Sequence, residues 1–262
     1  MNREKKTYIE GIYNYCNRWC EKCGFTSNCY LFTTESRITS HQILNDGEMP
    51  KAEDIFPKLD DIDEDDDDLF SDGDEDFAQS DGLPDFGGEE SIPDEEIEKE
   101  MEEERKFFEQ NNSALEELTD DYMEKSHPLI KKLDEKYNFY QTPQETIENP
   151  GLKKLHDNFE IFSYYHAFIH VKFKRAMHGK LDILKEDDDE MKEFHTYDMN
   201  GTAKIALISV NNSIEALNEL YNSLPELNNE ITELLVLSGK IKNEAEKEFP
   251  DCYSFKRPGF DE

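Results

Sequence analysis

Leu152, Leu155, Phe159, Phe162, His166, Ile169, Phe173 and Ala176 recur at spacings of three and four, and no other feature constrains the fold of this chain so tightly. A stripe of that period runs along one face of an α-helix and must be buried against another element. Pro150 stands where such a helix begins, and Gly179 is expected to bend or end it. A second stripe, Ala203, Leu207, Val210, Ile214, Leu217, Tyr221 and Leu224, predicts a helix starting near "DMNGTAK", Asp198 to Lys204. A third, Leu227, Ile231, Leu234, Leu235, Leu237 and Ile241, follows Pro225. Upstream, a sparser pattern from Ile97 to Tyr122 starts after Pro93 among acids suited to a first turn. His127-Pro128 is expected to stop it, with a short further helix through Leu129, Ile130, Leu133 and Tyr137. Helices joined by short loops and striped on one face pack antiparallel, so the expected fold is all-α: an up-and-down helical bundle over residues 92–248.

Charge sets the boundaries of that bundle. From Glu53 to Glu104 the chain carries 26 acidic residues against two lysines, and most of the net charge of −34 lies there. Acids at that density repel and stay solvated, so residues 46–91 are expected to form an acidic, disordered linker. A calcium loop does not fit, because counting back from Gly73 or Gly82 places Phe70 or Phe77 at positions that need an acid. Leu69, Phe70, Phe77, Leu83 and Phe86 give the linker a way to dock onto a protein partner or onto the chain's own basic helix. With 63 acids against 29 Lys and Arg, nucleic acid is not an expected partner. The basic run "HVKFKRAMHGK", His170 to Lys180, reads as a solvated helix flank that pairs with the acidic segment or with neighbouring Glu, ahead of a phosphate site. No apolar run approaches a membrane span, and "MNREKKTYIEGIY" lacks the apolar core of a secretory signal, so a cytoplasmic location is expected. Residues 249–262, "FPDCYSFKRPGFDE", read as an irregular tail.

Residues 1–45 hold four of the five cysteines, in "YCNRWCEKCGFTSNCYLF". A segment this small does not fold by burial alone, and in a reducing compartment clustered cysteines more often bind metal than form disulfides. The spacing is Cys16-x3-Cys20-x2-Cys23-x5-Cys29. Cys-x2-Cys aims two thiolates at one centre, and four thiolates satisfy either zinc or a [4Fe-4S] cluster. Zinc folds usually bring two short pairs from separated positions. Here one continuous loop supplies all four, which points to [4Fe-4S] first and zinc second.

Cys20 to Phe32, "CEKCGFTSNCYLF", resembles the C-x2-C-x5-C segment that closes the iron-sulfur staple of AddB and Cas4-like nucleases. The resemblance implies a cluster, with Cys16 in place of that family's distant fourth ligand; the strand-borne acidic nuclease core has no counterpart here. The radical-SAM spacing also matches Cys16-x3-Cys20-x2-Cys23, but that family needs an α/β barrel and three ligands, not four. The opening Cys16-Asn17-Arg18-Trp19-Cys20 and closing "RPGFD" resemble an uncharacterised family of bacterial proteins, which implies no activity.

His166 and His170 stand one helical turn apart, a spacing able to share a metal. The blander reading of His166 is a core imidazole beside Phe162 and Ile169. Tyr164, Tyr165 and His195 are candidates to join them. A ferritin-type diiron centre needs two Glu-x-x-His motifs, and the chain has one, Glu124 to His127, followed by Pro128. The expected function is therefore a metal-binding helical protein acting in interaction or sensing. The alternative is an oxidoreductase that moves electrons through the cysteine cluster to a second site at His166 and His170.

Overall fold

The structure, a computed structural model, describes residues 7–51 and 113–261, with isolated helical positions at Lys99, Glu102 and Lys106. From residue 52 the expected acidic linker, and with it the expected helix start at Pro93, lies outside the described residues. The chain forms two compact units, one built from residues 7–51 with 257–261 and the other reaching to Lys256. The tail expected over 249–262 is thus divided, its last residues belonging with the cysteine segment. Among the described residues there is no strand, and no helix is long and apolar enough to cross a membrane.

In the first unit the N-terminal chain lies along the segment before helix α1 (Tyr30–Leu44). Ile9 N–H donates to Asn28 O at 3.0 Å, the Asn28 side-chain amide donates to Thr7 O, and the Tyr8 ring meets Tyr30 edge-on. Ile12 and Tyr15 are buried. Gly259 closes the C-terminal residues onto this chain: its φ is +73°, and a Cβ there would stand 3.1 Å from the methyls of Ile9 and Ile12. Only glycine fits such a turn without strain.

The second unit is an up-and-down four-helix bundle of α2 (Ala114–Tyr137), α3 (Pro150–Lys185), α4 (Asp189–Ser223) and α5 (Asn228–Glu248). α3 packs along α4, α4 along α5, and α2 along both α3 and α5, which closes the ring. Ion pairs report antiparallel neighbours: Lys125 with Glu233 and Lys132 with Glu230 join α2 to α5, and Lys154 with Glu219 joins α3 to α4. These pairs are exposed and screened by solvent, so apolar burial holds the helices together.

Three boundaries depart from the sequence expectation. Pro128 does not end α2, which runs through it to Asn138 in the left-handed region. Proline forfeits one main-chain hydrogen bond, and here Leu129, Ile130 and Leu133, all buried just beyond it, offset that loss. α3 continues past Gly179 to Lys185. α4 begins at Asp189, nine residues before the expected start, because Asp188 caps it and Asp189 and Glu190 suit the positive end of the helix. The acidic run "KEDDDE" contains that cap rather than a long loop.

The core follows the stripes with a slip on two helices. On α3, Tyr165 is buried in the stripe and His166 lies half-buried at its edge. On α4, Ser213 and Leu220 face inward where Ile214 and Tyr221 were expected. Tyr122 of α2 reaches across the bundle to Ser213, oxygen to oxygen 2.5 Å. Burial drives the Tyr122 pKa up to about 12, the Ser213 and Ser238 hydroxyls opposing it; Ser126 Oγ also lies close but makes no hydrogen bond of good geometry. A buried phenol with a partner marks one register for α2 against α4, since slippage would orphan it.

Candidate metal centre

Cys16, Cys20, Cys23 and Cys29 line one small cavity in the first unit, and none of them is in a disulfide. Each is positioned by a local device. Arg18 adopts φ +59°, a left-handed turn uncommon outside glycine, and this aims its N–H at Cys16 Sγ, 3.4 Å away. Its guanidinium reaches Glu35 of α1 at 2.9 Å and ties the loop to that helix. Cys20 opens a single 3-10 turn, Cys20–Lys22, which brings Cys23 round to the same side. Phe25 N–H donates to Cys23 Sγ at 3.4 Å. Cys29 is the N-cap of α1, and its sulfur accepts from Phe32 N–H, also at 3.4 Å.

A backbone N–H on each of three sulfurs fixes where that sulfur points, and at Cys29 the donor belongs to the first turn of α1. Cys20 lacks such a donor. Burial raises its pKa, and the nearby Cys16 and Cys29 add to the rise while Arg18 opposes it. Neighbouring thiols that penalise one another's ionisation are relieved by a cation placed between them.

Asn17, Arg18 and Thr26 also line the cavity, and the rest of its wall is apolar and aromatic. Ile12, Trp19, Phe25 and Phe32 contribute, and so does Phe260 from the far end of the chain. Phe260 meets Phe25 edge-on at 5.0 Å, and Arg257 stacks over Phe260 while its fork grips Asp261. Sequence reading missed Phe260 as a site residue; the one signal was Gly259 beside it, a residue that permits a tight turn. Cys252, the fifth cysteine, is buried in the bundle unit, with burial raising its pKa.

The histidines of α3 have separate engagements. His166 Nδ1–H donates to Ser163 O at 2.5 Å. His170 Nδ1 lies 3.2 Å from Thr119 Oγ1 and 3.4 Å from Asp120. Tyr165 accepts from Asn212, Tyr164 stacks on Phe168, and His195 lies against Phe194. Glu124 and His127 are both exposed. The basic run on α3 is paired: Lys174 with Glu116, Arg175 in a fork with Asp198, and Lys180 with Glu248.

Burial lowers the His166 pKa from its ordinary 6.5, with His127 adding to the fall and the Ser163 bond opposing it. The unfolded chain therefore binds the proton more readily. The stability carried by neutral His166 is complete above the unfolded value and declines as pH falls below it toward the folded value. Replacing His166 with Gln should flatten the loss of bundle stability below pH about 6.5, measured by urea denaturation across pH. An unchanged slope would show that this ring is not responsible.

Comparisons of the chain with protein-family models, with curated proteins and with solved structures gave no match.

Proposed function

We propose that this chain is a metal-binding helical protein in which a four-cysteine centre, iron-sulfur or zinc, folds a small N-terminal unit, and that it works by interaction or sensing rather than by catalysis. The observation that supports this reading is that Cys16, Cys20, Cys23 and Cys29 all line a single cavity. Three of those sulfurs accept backbone N–H groups. Donors of this kind hold ligand sulfurs in place. Metal binding and the folding of such a segment are then one event, and loss of the metal is a signal that the fold transmits. The acid-rich stretch from Glu53 to Glu104 gives the protein a means of holding a partner through charge. A non-catalytic role is favoured because His166 and His170, the pair suited to a second metal, are each engaged by a different neighbour.

The full chain, purified without oxygen, should carry tightly held metal that a mercurial reagent displaces as it titrates the four clustered thiols. Four freely reactive thiols with no metal released would overturn the reading.

A further inference from the structure

We infer that the outward side of α3 is a self-association surface, on which the α3 of a second copy of this chain lies antiparallel. The core stripe of α3 is one of two. Ile161, Tyr164, Phe168 and Val171 also recur at spacings of three and four, on a line turned about 140° from Phe162, Ile169 and Phe173. That line faces away from the core: Val171 is 58% exposed, and Ile161, Tyr164 and Phe168 are half-buried. Tyr164 stacks on Phe168 with ring centres 6.0 Å apart, and Lys172 Nζ lies 5.3 Å from the centre of the Phe168 ring. A helix striped on two sides has two faces to bury, and the bundle covers one of them.

The charges at the two ends of the stripe identify the occupant. Asp157 and Glu160 precede it, and Lys172 and Arg175 follow it. The order is symmetric about His166: Tyr164 and Phe168 stand two residues to either side, Ile161 and Val171 five, Glu160 and Lys172 six, and Asp157 and Arg175 nine. A two-fold axis opposite His166 therefore sets acid against base at both ends and apolar side chains against one another between them, which is isologous pairing. A parallel copy would meet acid with acid. The apolar stripe supplies the affinity, and the charges select the orientation. Contacts within the bundle leave room for this. The Gln144 amide donates to Asp157, and Arg175 holds Asp198 through Nε and Nη2, with Nη1 outside that fork. From Asp157 to Arg175 the face is about 27 Å long, a size that suits a reversible dimer rather than a permanent one.

The test is sedimentation velocity of the full chain over a range of concentrations at about 0.15 M salt, where a Debye length of about 8 Å screens the acid-rich stretch. A monomer–dimer equilibrium is expected, weakened roughly tenfold or more by Phe168→Glu, with helicity retained by circular dichroism. Glu160→Lys and Lys172→Glu, which leave the apolar stripe intact, should each weaken the dimer. Mixed together, these two variants should pair with each other in preference to themselves, because each end contact then again joins an acid to a base. A chain that stays monomeric, whether or not it adsorbs to phosphatidylserine vesicles or captures another protein, overturns the proposal. A dimer that Phe168→Glu leaves intact, or a mixture with no preference for the mixed pair, overturns it as well.

Discussion

If the proposed metal centre is right, replacing Cys20 and Cys23 together with serine should abolish metal binding and unfold the cysteine segment, while the helical bundle keeps its structure. The size of the effect follows from what holds the first unit together. Among its described residues, Ile12 and Tyr15 are buried, but α1 has no fully buried residue. Apolar burial on that scale does not repay the ordering of some fifty residues, at about 1–2 kcal/mol each for the backbone alone. Structural metal sites contribute about 10–16 kcal/mol of apparent binding energy, enough to decide whether such a segment folds. The double variant should therefore lose its metal to background and become protease-sensitive over residues 7–51, with bundle helicity retained by circular dichroism. Single variants should rank by what each sulfur accepts. Cys23→Ser and Cys29→Ser discard a sulfur held by a backbone N–H, and they should lose more metal than Cys20→Ser, whose sulfur has no such donor. Metal content and protease pattern unchanged in the double variant would make the cysteines inert.

Truncating Phe173 to alanine costs the bundle about 3–5 kcal/mol. Phe173 is fully buried and stacks on Phe249, also fully buried, with ring centres 6.5 Å apart and planes 14° from parallel. Phe249 follows the last turn of α5, so the cavity left by Phe173 opens beneath the point where the chain leaves that helix. For a unit of this size each kcal/mol lowers the melting temperature by about 2–4 °C, and a fall of roughly 10 °C is expected in calorimetry. A fall of less than about 2 °C would mean that the site collapses freely and that this packing is not what anchors the helix end.

The helical stripes were legible because their signal is local and repeated. Leu155, Phe159, Phe162, Ile169, Phe173 and Ala176 are all buried as their spacing requires. What the pattern could not resolve was a slip of one residue around the helix. His166 and Tyr165 differ by about 100° on the helix surface, and which of them faces inward depends on the neighbouring helices. The end of α2 was misread for a related reason: proline's local cost is visible in the sequence, and the tertiary burial beyond Pro128 is not. The candidate site divides in the same way. The cysteine spacing placed four thiols in one loop, but the N–H donors on three sulfurs arise from the left-handed turn at Arg18, the chain after Cys23 and the cap of α1.

By itself the sequence determined that this protein is helical, that its helices bury one face, and that four thiols lie within one loop. Periodicity and short spacing are properties of adjacent residues, and they survive without knowledge of the rest of the chain. The tertiary structure decided what closes the cysteine cavity. Phe260 stands more than two hundred residues from Phe25, yet the two rings meet 5.0 Å apart because Gly259 turns the C-terminal residues onto Ile9 and Ile12. A contact between residues so far apart depends on the path of the whole chain, which no local pattern encodes. The opening cysteine loop and the closing "RPGFD" are therefore two parts of one site.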